Sequence, residues 1–177
     1  MNVTLRDYLA MSRPIDDLVP KAQSLGTIVD HVLTLFEARA ATKDVTLARV
    51  EGDVTAEVDA TRLEEALLNL VSNAIEASPR GSAIELAITG REAHARIEVR
   101  DHGAGMPAHV LARVGTPYFT TREDGTGIGV ALSRAIVRQH GGELSYESTE
   151  GEGTLARIEL PRVFAGLASP SLPAVPS

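Results

Sequence analysis

The 177 residues carry 17 Lys and Arg against 24 Asp and Glu, a net charge of -7, with 44% hydrophobic and 23% charged residues and no cysteine. That balance suits one soluble domain with short appendages. It speaks against a nucleic-acid surface, and the absence of thiols excludes disulfides, thiolate zinc sites and cysteine nucleophiles. No apolar run approaches the roughly 20 residues of a membrane span and the N-terminus has no signal-peptide pattern, so a cytoplasmic location is expected.

In chain order, VTLRDYLAMSR at 3–13 predicts the end of a helix closed by Pro14. From Ala22 to Ala41, Leu25, Ile28, Val29, Val32, Leu33 and Phe36 recur at helical spacing and predict an amphipathic helix. Alternating runs at 45–50 and 55–58 read as strands, followed by a helix to about Ala77 that Asp59 or Thr61 can cap, with Thr61 and Glu64 spaced as a capping box. Ile84, Leu86 and Ile88, then Ala95, Ile97 and Val99, predict a hairpin. A loop at 101–107 leads to a short helix, and 115–127 has the glycine boundaries and lack of period expected of a lid. A helix around Ile128, Leu132, Ala135 and Ile136 ends at Gly141 and Gly142, and strands at 143–148 and 154–160 complete the domain. The proline-rich remainder reads as a linker. Hairpins outnumber crossovers, so the expected class is a two-layer α/β sandwich, a mixed sheet with helices on one face. The expected organisation is a leading segment at 1–20, a domain at 21–161 and a tail at 162–177.

Three constellations carry chemistry. Asn69 and Asn73 lie four apart on one helix face, an arrangement that suits a Mg²⁺-nucleotide site, though such a pair taken alone more often makes two solvated or capping amides. Asp101-His102-Gly103-Ala104-Gly105-Met106 follows a strand, where an aspartate can accept from an exocyclic amine and glycines admit a flat base, or simply make a turn. Gly125-Thr126-Gly127-Ile128-Gly129 opens into a helix and can expose N–H groups to a phosphate. No Walker lysine follows it. His102 reads as a solvent-facing loop residue, Tyr118 and Phe119 as lid packing, and Arg134 and Arg138 as a solvated helix face.

In this order the elements resemble the catalytic ATP-binding domain of two-component sensor histidine kinases. NLVSNAIEAS resembles the N box, DHGAGMP the G1 box, PYFTTRE the F box and GTGIGVALSRAIVRQHGGEL the G2 box, and GEGTLARIELP is similar to the closing strand. The resemblance spans about 24–161 and implies the GHKL fold, with ATP and Mg²⁺ as ligands. By motif it implies Asn73 as a Mg²⁺ ligand with Asn69 beside it, Asp101 reading the adenine amino group, and Gly103, Gly105 and Met106 shaping the base pocket. It further implies Thr154 supporting Asp101, Gly125, Thr126, Gly127, Ile128 and Gly129 facing the phosphates, and Arg122 as a phosphate contact. Glu76 stands where many members carry lysine, with Arg80 a possible replacement.

GHKL ATPases and serine kinases carry a glutamate where this chain has Asn69, and Glu65 lies a turn too early to replace it, which favours a histidine kinase. None of His31, His94, His102, His109 and His140 is followed directly by the Glu or Asp, with proline a few residues on, that marks the family's phosphoacceptor. RDYLAMSRP resembles the end of the second helix of the family's dimerisation hairpin, which makes 1–20 a remnant of that helix and its linker. The expectation is therefore a catalytic module, fragment or stand-alone, that acts on a histidine-containing dimerisation domain supplied upstream or in trans, with a response regulator as further partner. A non-catalytic ATP-dependent interaction module is the alternative.

Overall fold

The computed structural model describes residues 18–121 and 125–164. The leading helix predicted at 3–13 lies outside them. The elements are β1 (Lys21–Ser24), α1 (Leu25–Lys43), β2 (Thr46–Glu51), β3 (Thr55–Val58), α2 (Ala60–Ala77), β4 (Ala83–Gly90), β5 (His94–Asp101), α3 (Ala108–Leu111), α4 (Gly129–Gln139), β6 (Glu143–Thr149) and β7 (Gly153–Pro161). Five strands form one sheet in the order β2-β4-β5-β7-β6, in which β2 and β4 run parallel and the other neighbours antiparallel. A separate antiparallel pair joins β1 to β3.

The period-two pattern decides which face of the sheet is dry. Ile84, Leu86, Ile88, Ala95, Ile97 and Val99 are buried, and Leu25, Val29 and Val32 of α1 and Leu63, Leu67 and Val71 of α2 close over that core. The opposite face holds charges laddered across strands: Arg157 pairs with Glu98 at 2.8 Å and with Glu147 at 2.7 Å, and Arg96 pairs with Glu159. Such exposed pairs stabilise little, but they mark the wet side of a two-layer α/β sandwich.

Three local expectations require correction. The helix predicted from Ala22 starts at Leu25, because Ser24 caps it: the Ser24 hydroxyl accepts from Thr27 N–H at 3.0 Å and donates to Asp53, which also accepts from Gly26 N–H at 2.8 Å. Residues 21–24 pair with β3 instead. In α2 the cap is Asp59, whose Oδ1 accepts from Arg62 N–H at 3.1 Å, and Glu64 of the expected capping box faces His31 at 3.1 Å. Past Pro161, Arg162 O accepts from Glu57 N–H and Phe164 N–H donates to the Glu57 carboxylate, both at 2.9 Å, so ordered contacts run three residues into the expected tail. Residues 165–177 lie outside the described part.

Candidate functional site

A cleft of about 600 Å³ opens between α2, the turn that starts α4, the α3 region and the inner ends of β5, β6 and β7. Each wall comes from one of the three constellations. Asn69 and Asn73 line it from α2, Asp101, Gly105, Met106 and Thr154 from the strand ends, and Gly125, Thr126, Gly127 and Gly129 from the turn. Gly103 and Ile128 do not line the cleft. Gly103 lies behind the wall, where a Cβ would stand 2.4 Å from Ala77 O, and Ile128 is buried. Arg122 lies outside the described residues.

Asp101 is 6% exposed at the end of β5, and burial pushes its carboxyl above the usual carboxylate range. Its Oδ1 accepts from Gly103 N–H at 2.9 Å and Thr154 N–H at 3.2 Å. Thr154 thus supports the aspartate through its backbone, while its hydroxyl lies 2.9 Å from Ser148 Oγ. Ser148 is the organising residue that sequence reading passed over. Its hydroxyl donates to Gly153 O and accepts from Met106 N–H, both at 2.8 Å, which ties the base loop to the β6–β7 hairpin. The available signal was a serine at an inner position of a strand. The loop also needs Gly105: at φ +62° a Cβ would lie 1.9 Å from Thr149 O.

The opposite end is built from backbone. Gly127 has φ +68°, and a Cβ there would lie 2.5 Å from the carbonyl carbon of Tyr118, whose N–H donates to Gly127 O at 3.0 Å. No side chain caps α4 at Ile128, so the positive end of an eleven-residue helix faces the cleft with N–H groups available to an anion. Asn69 abuts this turn: its Nδ2 donates to Glu65 O at 3.2 Å, and its Oδ1 lies 3.2 Å from where a Gly129 Cβ would stand. Asn73 lines the cleft one turn further along α2.

Other side chains refine the sequence reading. Glu76 lines the cleft and pairs with Arg39 of α1, so the position carries an acid held by a cation from the neighbouring helix. Arg80 lies on a separate surface depression with Arg39 and Lys43 and does not face the cleft. Phe119 lines the cleft with the Arg113 guanidinium 4.1 Å from its ring centroid, whereas Tyr118 is 59% exposed and does not pack. Arg138 is exposed as expected, but Arg134 is half-buried against the backbone of Gly115. Glu65 is paired with Arg62 at 3.1 Å and is not among the lining residues.

Known proteins resemble this chain in sequence and in fold. The family of histidine kinase-, DNA gyrase B- and HSP90-like ATPases matches residues 58–163. Sensor histidine kinase ZraS of Escherichia coli strain K12 is 35% identical over 163 residues, covering 91% of this chain and 35% of its own length. The solved catalytic domain of histidine kinase ThkA superposes with a TM-score of 0.72 at 28% identity over 81% of this chain and 97% of that one. ThkA in complex with response regulator protein TrrA gives 0.75 at 26% identity, over 89% of this chain and 46% of that one. The chain spans between about a fifth and two fifths of the length of the curated relatives it matches, from 22% to 38%. The chain therefore belongs to the histidine kinase-, DNA gyrase B- and HSP90-like ATPases, as a domain homologous to the catalytic domains of sensor histidine kinases.

Proposed function

We propose that this domain binds ATP with Mg²⁺ and presents the γ-phosphate to a histidine outside these 177 residues, in two-component signalling. The observation that carries the reading is the convergence, in one cleft, of a buried carboxylate at one end, an uncapped helix N-terminus at the other, and an asparagine between them. Asp101 would accept from the adenine amino group, held by Gly103 and Thr154, while Gly105 and Met106 shape the base pocket. The turn at 125–129 and the start of α4 would hold the phosphates through N–H groups, and Arg122 would add a cation.

Among the described residues no cluster of three or more His, Asp or Glu could hold an ion. Mg²⁺ would therefore be held largely by the substrate phosphates and water, with amide oxygens of the chain completing its shell. Asn73 would supply one oxygen, with Asn69, beside the turn, as a second polar group near the ion; the ion, when bound, neutralises triphosphate charge. Positioning of this kind is most of what phosphoryl transfer asks of a protein.

The receiving histidine would sit on a dimerisation domain and a response regulator would follow it; the likeness to ThkA, solved with such a regulator, supports that partner. Among the described residues no helix is long and apolar enough to cross a membrane, in keeping with a cytoplasmic site of action. A hydrolytic ATPase is disfavoured, because Glu65 is held by Arg62 away from the cleft. The second reading, an ATP-dependent interaction module without transfer, rests on the lack of an acceptor-like histidine in the sequence.

Calorimetric titration with a non-hydrolysable ATP analogue, with and without Mg²⁺, tests binding; radiolabel transfer to a supplied histidine hairpin separates the two readings. Asn73→Ala is expected to weaken binding about tenfold with Mg²⁺ present, about 1.4 kcal/mol, and to change little in chelator. Equal losses under both conditions would remove the metal role. Absence of binding by the unmodified chain would end the nucleotide reading.

A further inference from the structure

The helices that carry the two halves of the cleft lie side by side and antiparallel. Asn69 of α2 meets Gly129 at the start of α4, the Ser133 hydroxyl donates to Ala66 O at 3.3 Å midway, and at the far end His140 meets Asp59. Ala66, Leu132 and Ile136 form a small apolar cluster along this seam. The far end is joined by hydrogen bonds that all converge on Asp59. Its backbone N–H donates to His140 Nε2 at 3.0 Å, and His140, 1% exposed, places Nδ1 2.8 Å from Ile136 O. Its Oδ1 caps α2 through Arg62 N–H. Its Oδ2 accepts from Val19 N–H at 3.1 Å, in the segment through which the chain enters the domain ahead of β1.

We infer that Asp59 is a positioning residue that couples the entering segment at Val19 to the geometry of the nucleotide cleft, with the Asp59–His140 contact as the pin about which α2 and α4 are set. Ten residues of helix separate Asp59 from Asn69 and fourteen separate it from Asn73, so the pin lies about 15–21 Å from the groups it sets. A displacement of the entering segment acts on one carboxylate oxygen, the other oxygen holds the α2 N-terminus, and the backbone of the same residue holds the end of α4. The coupling needs no further parts, because packed helices transmit a small tilt as a rigid body. It deepens the nucleotide reading and rests on it, naming where an upstream conformational input would enter.

Asparagine caps helices as well as aspartate. Asp59→Asn therefore keeps the α2 cap through its one oxygen and places an amide NH₂ opposite Val19 N–H, removing the link alone. Val19→Pro removes the donor from the other side. The full chain and the two single and one double variants are titrated with the ATP analogue and Mg²⁺, and hydrogen exchange is followed at residues 127–132 without nucleotide. Each single change is expected to weaken affinity about threefold to tenfold, the double change no more than either alone, and exchange at the start of α4 to rise in Asp59→Asn. Unchanged affinity, or losses that add in the double variant, would overturn the coupling. If the unmodified chain binds no ATP, the nucleotide reading falls by itself, and exchange at 127–132 still decides the pin: unaltered protection in Asp59→Asn refutes it.

Discussion

Replacing Asp101 with asparagine is expected to weaken ATP binding by at least about 100-fold, near 3 kcal/mol, while leaving the fold as stable as before or more so. Both effects follow from how the carboxylate is held. Oδ1 is committed to Gly103 and Thr154 N–H groups, so an asparagine would keep its oxygen there and turn its NH₂ into the cleft, donor facing donor where the adenine amino group should bind. The stability effect has the opposite sign. Burial raises the carboxyl of Asp101 above its ordinary 3.8, so the folded state binds this proton more tightly than the unfolded chain, and the ionised group at neutral pH opposes folding. Asparagine removes that opposition. As pH falls through the raised value toward 3.8 the wild-type carboxylate is protonated and the advantage of the variant shrinks. Calorimetric affinity and thermal midpoints at pH 7.5 and 4.5 test both halves. A variant that melts well below the wild type at pH 7.5 would show that the carboxylate holds the loop together rather than being held for a ligand.

What could be read without coordinates divides along physical lines. The alternation at Ile84, Leu86 and Ile88 against Ala95, Ile97 and Val99 could only be a half-buried hairpin, and the stripe from Leu63 to Ala74 only a helix with one dry face. Most of the cleft residues sit at a strand end or helix start, where local sequence sets the chemistry, and Asn69 and Asn73 within α2 are legible from their spacing of four on one helix face. The misses are all decided at long range. KAQS has no strand pattern; it extends because β3 offers an edge and Ser24 caps the helix after it. Arg134 looks like a surface cation in sequence, and only the approach of Gly115 from the 111–121 segment covers it. Ser148 is an unremarkable serine until the base loop and Gly153 converge on its hydroxyl. Arg162 and Phe164 belong to a tail by composition, yet β3 leaves hydrogen-bonding groups that they satisfy. At Glu76 the departure from the resembling lysine is legible, but its partner Arg39, 37 residues earlier, is not.

His140 caps the far end of α4, within the G2-like segment but away from the cleft, and its removal is expected to be among the most damaging single changes to the fold. His140→Ala empties a site that is 1% exposed and strips a partner from each of Asp59 N–H and Ile136 O, a combined loss of about 2–4 kcal/mol. The ring is held in one tautomer, because Nε2 accepts from a backbone N–H and Nδ1 must then donate to a carbonyl. Burial pushes its pKa below the ordinary 6.5, against smaller opposing pulls from the Ile136 and Asp59 contacts, while Arg62 adds to the depression. The unfolded chain therefore binds the proton more readily than the folded one. The contribution is fully present above pH 6.5 and is lost as pH falls from there through the depressed folded value. Asp101 titrates with the opposite sign, so the net slope of the wild type mixes the two, and the difference between wild type and His140→Ala isolates the histidine. That difference should be largest near pH 7.5 and narrow steadily toward pH 5. A gap in unfolding free energy that stays constant over this range would show that burial does not depress the His140 pKa, and a gap that widens toward pH 5 would mean that His140 is protonated within the fold and that Nε2 is not the acceptor of the Asp59 N–H.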